Sequence, residues 1–262
     1  MRYAFLLLML AGLPALADPA ADDPSRAERW QDLRKIVLDD RPVADGKGVV
    51  ELDAPDRALD AALVPLTIRL PGGKVKGLYL VIDDNPSPLA ARFTFGPAAD
   101  TREIRTRVRV DDYSLIHAVA ETEDGRLYAA ARFVKASGGC SAPASGDPQE
   151  AMVRLGKMKL KTAMDGPKGA EQLQLLISHP NYNGMQMDQV TRLYTPARYV
   201  QDIKVTSGGR LVFDLASDIS LSEDPSVTFG VRGQGAGAVE IVMQDSTKAE
   251  YRQSFDLPSL TN

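Results

Sequence analysis

Cysteine is the scarcest reactive residue in this 262-residue chain: there is one, Cys140, beside two histidines, His117 and His179, and one tryptophan, Trp30. A single cysteine excludes a disulfide framework. Two distant histidines leave little material for acid–base chemistry, and no G-x-S-x-G elbow is present for a serine nucleophile. A phosphate-binding G-x-x-x-x-G-K-[ST] loop is missing too: Gly72, Gly73 and Lys74 lie between two strand-like runs, as a hairpin requires. A blue-copper centre needs cysteine with two histidines, yet no histidine falls between Cys140 and His179. Neither charge sign dominates: 31 basic residues against 35 acidic ones give a net of −4, which argues against a nucleic-acid partner. Long hydrophobic runs are absent as well, so no membrane span is expected.

The one apolar run, Phe5 to Leu13, follows Arg2 and precedes Ala15, Leu16 and Ala17. This is the pattern of an export leader, residues 1–17, cut after Ala17, and it implies a product secreted from the cytoplasm. In an oxidising compartment cysteines usually occur in pairs, which makes an unpaired one an anomaly.

From Ser25 the pattern is helical. Glu28 stands at capping-box spacing, and Trp30, Leu33, Ile36 and Val37 recur at helical intervals, which predicts an amphipathic helix over 26–38. Asp39, Asp40, Arg41 and Pro42 end it. Short strand-like runs follow at 49–52, 64–70, 75–82, 91–95, 104–110, 115–121 and 127–134, the count of an immunoglobulin-like sandwich. Residues 136–148 contain no large apolar side chain and read as a flexible Gly/Ser/Ala/Pro linker. Strand patterns resume at 151–160, 172–178, 203–206, 211–215, 227–231, 238–244 and 251–257, a second sandwich of similar size. The expected organisation is therefore all-β: a leader at 1–17, a helix-bearing sandwich at 18–135, a linker at 136–148 and a second sandwich at 149–262.

Cys140 falls in that linker. Gly138 and Gly139 before it give the backbone freedom, and Ser141, Ala142 and Pro143 after it add little bulk, so the thiol is expected to be exposed and movable. An extended chain would carry it about 17 Å beyond Lys135. Exposed free thiols are a liability where disulfides form, which favours a functional role over an accidental one. Arg105, Arg107 and Arg109 alternate with Thr106 and Val108, and period two places them on one sheet face, a basic stripe able to dock an acidic partner or an anion. A solvated strand face is the plainer explanation. His117 lies in an alternating strand and reads as a hydrogen-bonded structural residue, while Asp83, Asp84, Asp111 and Asp112 read as turn residues. Met185 and Met187 near His179 could offer soft copper ligands, but methionine is a common gap filler and no second histidine is near. No metal, cofactor or catalytic residue is assigned.

The run Arg132, Phe133, Val134, Lys135, Ala136, Ser137, Gly138, Gly139, Cys140 resembles the end of SoxY, the sulfur-carrier subunit of periplasmic thiosulfate oxidation. Ile177, Ser178, His179 and Pro180, with Tyr194, Thr195, Pro196, Ala197, Arg198 and Tyr199, resemble SoxZ, its partner subunit. Together they resemble the single-chain SoxYZ-like carriers associated with quinoprotein dehydrogenases. The resemblance implies two immunoglobulin-like sandwiches, no enzymatic activity, and covalent attachment of sulfur intermediates to Cys140. It implies as partners a periplasmic c-type cytochrome and sulfur-oxidation enzymes, or a quinoprotein dehydrogenase system. Two features depart from it: Cys140 is internal, and Ser141 stands where the carrier tail has glycine. Two other readings compete with the covalent carrier: a non-covalent accessory protein of a quinoprotein dehydrogenase system, and a structural immunoglobulin-like binding module.

Overall fold

The computed structural model describes residues 23–72, 74–143, 145–163, 166–167, 171–188, 191–232 and 237–256, so the leader expected at 1–17 lies outside the described residues. Helix α1, Pro24–Val37, is capped by Asp23, whose Oδ1 accepts the Ser25 N–H at 2.9 Å. The cap thus falls two residues before the serine the spacing suggested. Eight strands follow: β1 (Val43–Asp45), β2 (Glu51–Asp53), β3 (Val64–Arg69), β4 (Val75–Ile82), β5 (Leu89–Phe95), β6 (Ala99–Val108), β7 (Ser114–Thr122) and β8 (Leu127–Val134). Helix α2, Pro148–Val153, occupies the start of the strand expected at 151–160. Asp147 caps it by accepting the Gln149 N–H, with proline in the first turn. Seven strands complete the chain: β9 (Met158–Thr162), β10 (Glu171–Ile177), β11 (Val200–Ser207), β12 (Arg210–Ser217), β13 (Ser226–Val231), β14 (Ala238–Asp245) and β15 (Glu250–Asp256). Among the described residues no helix is long and apolar enough to cross a membrane.

The protein is all-β, and its described residues form fifteen strands in two sheets. One sheet runs β1-β8-β7-β4-β5-β12-β11-β14-β15 and the other β2-β3-β6-β13-β10-β9. The two halves of the chain join edge to edge in both sheets. β5 pairs with β12 in the first, bringing Phe95 opposite Phe213, and β6 pairs with β13 in the second. Strands that would be sheet edges in a lone sandwich are thereby paired instead of left open. One apolar core runs through both halves, and at the seam Phe93, Phe213 and Phe229 pack edge to face at centroid distances of 5.6 and 5.1 Å.

β4 is buried on both faces, which an alternating pattern alone would not produce. Its inward residues join the main core. Tyr79 and Val81 face outward with Val119 and Leu127, and there they meet Leu33 and Leu38 of the α1 region. Trp30 stacks on His117 at 3.7 Å with the rings 6° from parallel, and His117 Nε2 lies 3.1 Å from Asp83 Oδ2. His117 therefore has the structural role its strand setting suggested. Arg26 pairs with Asp84 at 2.9 Å and Arg29 reaches the Asp83 carbonyl at 2.6 Å, so the β4–β5 turn clamps the helix.

Candidate functional site

Cys140 sits on the seam, and its side chain has 0% exposure. The expectation of an exposed thiol on a free tether is corrected by this placement. Small side chains leave nothing to bury, but they let the backbone itself approach both halves and bond there. The Gly138 N–H donates to the Asp111 carbonyl at 2.6 Å and the Gly139 N–H to the Val110 carbonyl at 3.1 Å. The Cys140 N–H donates to Asp111 Oδ1 at 3.1 Å, and Asn183 Nδ2 from the second half donates to the Cys140 carbonyl at 2.6 Å. Further along, the Ser145 N–H donates to Glu223 Oε2 at 2.9 Å, while Ala136 is buried in the core.

The two glycines have different jobs from the one composition suggested. Gly138 has φ +73°, a left-handed conformation that side chains disfavour, and it makes the turn. A Cβ at Gly139 would stand 2.1 Å from the Ala61 carbonyl oxygen and 2.5 Å from that of Val110. Gly139 is thus required by close approach, and in this state neither glycine acts as a hinge in open solvent.

The arginine stripe is also divided. β6 ends at Val108, and beyond it the chain turns inward: the Arg109 N–H donates to the Ser220 carbonyl, and the side chain is 1% exposed. Arg105 and Arg107 remain half-buried on the outer face, Arg105 on Glu103 at 2.7 Å and Arg107 on the Asp224 carbonyl at 2.8 Å. Arg109 instead points its Nη1 at the Gly139 carbonyl, 3.3 Å away, and its Nε and Nη2 make no hydrogen bond to any described protein atom. Only this arginine of the three belongs to the cysteine site.

Asn85 fixes this geometry from below. Its Nδ2 donates to the Arg109 carbonyl at 2.8 Å and to Ser220 Oγ at 2.9 Å, while its Oδ1 accepts the Asp111 N–H at 2.9 Å. From the second half, Asn181 Nδ2 holds the Leu221 carbonyl at 2.9 Å, and its Oδ1 accepts the Val200 N–H. Asn85, Asn181 and Asn183 escaped the sequence reading, and Asp111 was read only as a turn residue; asparagine and aspartate in loops look alike whether they serve a turn or a distant segment. The cluster Pro180, Asn181, Tyr182, Asn183, Gly184 was the one available signal.

The electrostatics favour a neutral thiol. Burial and the adjacent Asp111 carboxylate push Cys140 up to about 12, and the opposing pull of Arg109 is smaller. At neutral pH the docked sulfur is therefore protonated and a poor nucleophile. Burial also lowers the pKa of Arg109, against the attraction of Glu223 and of Cys140 itself.

His179 bonds to the asparagine frame of the second half, and no described hydrogen bond joins it to Cys140. It is buried, its Nδ1 accepts the Asn181 N–H at 3.0 Å, and its Nε2 faces Asp245 Oδ2 at 3.7 Å. Burial lowers it to about 4 in spite of Asp245, so the ring is neutral at pH 7. Among the described residues no three His, Cys, Asp or Glu side chains gather closely enough to hold a metal ion.

Residues 34–140 match the family model described as "Sulfur oxidation protein SoxY", and residues 159–256 match "Sulphur oxidation protein SoxZ". No curated protein sequence matches. Among solved structures the chain is similar to the sulfur carrier protein SoxY from Chlorobium limicola f thiosulfatophilum, at 23% identity and TM-score 0.38, over 44% of this chain and 98% of that one. It is also similar to a β-glycosidase from Bacteroides vulgatus, at 10% identity and TM-score 0.25, over 80% of this chain and 24% of that one. These two likenesses are too low to bear on function. The family matches divide the chain at the cysteine turn, and the chain belongs to the SoxY and SoxZ sulfur-oxidation families, with both carried on one polypeptide.

Proposed function

We propose that this chain is a non-enzymatic carrier that holds sulfur compounds covalently on Cys140 and presents them to sulfur-oxidation enzymes and a c-type cytochrome in the periplasm. The observation that supports it most is the position of the cysteine. The only thiol of the chain is the last residue of the SoxY match, in a turn outside any strand whose backbone is bonded to Val110 and Asp111 of the first half and to the Asn183 side chain of the second.

In the docked state the sulfur is buried and protonated, so loading and unloading require the 138–140 turn to leave the seam. The turn suits this, because none of its residues contributes a large side chain to the core. Outside the seam the thiol returns to an ordinary pKa near 8.5, and a partner enzyme supplies the activation. Arg105 and Arg107, on the outer sheet face, supply the positive charge that meets an acidic partner.

The direct test is peptide mass analysis of the full chain recovered from cells oxidising thiosulfate. Sulfur adducts are expected on the Cys140 peptide, and Cys140→Ser should fold normally yet fail to support thiosulfate oxidation. Bare thiol alone, or full activity of Cys140→Ser, would refute the carrier reading.

A further inference from the structure

Arg109 is a cation in an unfavourable position. Its side chain is 1% exposed, its nearest hydrogen-bond acceptor is a backbone carbonyl, and Glu223 and Asp60 act on it only through space. A buried charge left without a close partner is costly and calls for an explanation, a bound anion among them. The unpartnered groups are Nε and Nη2, which lie on one edge of the guanidinium plane. That edge is the fork that binds planar or tetrahedral oxyanions through two parallel N–H bonds. The third nitrogen, Nη1, is bound to the carbonyl immediately before Cys140, which ties the fork to the neighbourhood of the sulfur.

We propose that Arg109 is the anion receptor of the cysteine seat, and that it takes the terminal oxyanion of an S-bound adduct when the loaded turn redocks. The inference rests on the carrier reading of Cys140 and adds selectivity to it. Adducts ending in a sulfonate are retained in the seam. Neutral adducts of similar size are not, because they lose the thiol's contact with Asp111 and gain nothing from Arg109. Arg109 is thus a positioning residue that acts on the cargo, and the Asn85 bond to its carbonyl holds it in place.

Two chemical loadings of the full chain separate the charge from the bulk. With tetrathionate, the Cys140 sulfur attacks a central sulfur and the central S–S bond breaks. Thiosulfate leaves with the electron pair, the thiol proton goes to solvent, and Cys140 carries S–S–SO3⁻. With methyl methanethiosulfonate, the sulfur attacks the methylthio sulfur, methanesulfinate leaves, and Cys140 carries neutral S–S–CH3. In the wild type the thiosulfonate form should melt at least about 2 °C above the methylthio form, the shift one charge-assisted contact gives a chain of this length. In Arg109→Gln this gap should vanish. Arg109→Lys keeps the charge but lacks the fork, and should show a reduced gap; it also serves if Arg109→Gln fails to fold. Equal melting of the two adducts in the wild type, or the same gap in wild type and variants, overturns the role of Arg109 and leaves the carrier reading intact. If neither reagent adds mass at Cys140 in the native protein, the carrier reading falls and this inference falls with it.

Discussion

Gly139→Ala is the sharpest probe of the docked cysteine, because its new Cβ would stand 2.1 Å from the Ala61 carbonyl oxygen and 2.5 Å from that of Val110. Both obstacles are backbone and cannot rotate away. The seat is closed to the variant, while a released turn accepts alanine readily. The size of the effect follows from what docking gains and loses. Five described hydrogen bonds join residues 138–140 to the surrounding walls, counting that from Arg109, and at about 1 kcal/mol each they contribute about 5 kcal/mol. Burying the thiol adds about 1 kcal/mol. Ordering three backbone residues costs about 4 kcal/mol. Docking is then favourable by about 2 kcal/mol, which leaves about 3% of molecules with the turn released.

The assay is the rate at which a thiol reagent modifies Cys140 in the native protein, compared with the same protein unfolded in urea. Wild type should react about 30-fold more slowly than the unfolded chain, since reaction waits for the released fraction and the docked thiol is both covered and protonated. Gly139→Ala should recover most of that factor with little change in global stability. If its labelling rate equals that of the wild type, or if native wild type already reacts like the unfolded chain, the seat is not what protects the sulfur.

Two further expectations concern the frame around the seat. His179 is lowered to about 4 in the folded protein against about 6.5 unfolded, so the unfolded chain takes up the extra proton as pH falls. Its contribution to stability is present above pH 6.5 and lost between there and pH 4, by up to about 3 kcal/mol. Burial would raise Asp245, but hydrogen bonds from Thr247 and Arg198 outweigh it and keep it ionised through this window. Urea unfolding at stepped pH should therefore show a slope that His179→Asn flattens, and parallel curves would contradict the assignment. Trp30→Ala should cost about 2 kcal/mol, less than a fully buried tryptophan, by freeing α1 from the stack on His117. Denaturant unfolding and the near-ultraviolet dichroism of α1 variants would measure it, and an unchanged midpoint would mean that the stack holds nothing.

The strands were readable because their side chains obey local rules. β4 and β8 have the bounds that their apolar runs and flanking turns suggested, and α1 lies within two residues of its periodic stretch. β1 was missed: at three residues in parallel pairing with β8 it carries too little pattern to register. α2 was read as strand because Ala151, Met152 and Val153 fit either period, and the Asp147–Pro148 cap that decides the matter was not weighed. The cysteine itself was legible, as the lone thiol of the chain. Its burial was not, for the argument from composition counted side chains, whereas residues 138–140 are held by their own N–H and C=O groups. Arg109 shows the same limit. Period two predicts a shared face only while the strand lasts, and β6 stops one residue short of it.

These observations set one physical conflict against another. If Cys140 carries cargo as proposed, its sulfur must be exposed to be reached, whereas an exposed thiol in an oxidising compartment is lost to side reactions. Edge-to-edge joining of the halves at β5–β12 and β6–β13 answers this by creating a seam whose walls come from both. The wall on the first half carries Asp111 and Arg109, and the wall on the second carries Asn183. The grip is made of bonds to the main chain of a segment of small residues, so opening it, as the carrier proposal requires, should have a modest cost and leave the core intact. A side chain at 139 would meet the Ala61 and Val110 carbonyls and keep the turn out of the seam. The lack of large apolar side chains at 138–141, which first read as a mark of disorder, is what lets the main chain of the segment dock, and on the proposed carrier reading it also lets the segment leave.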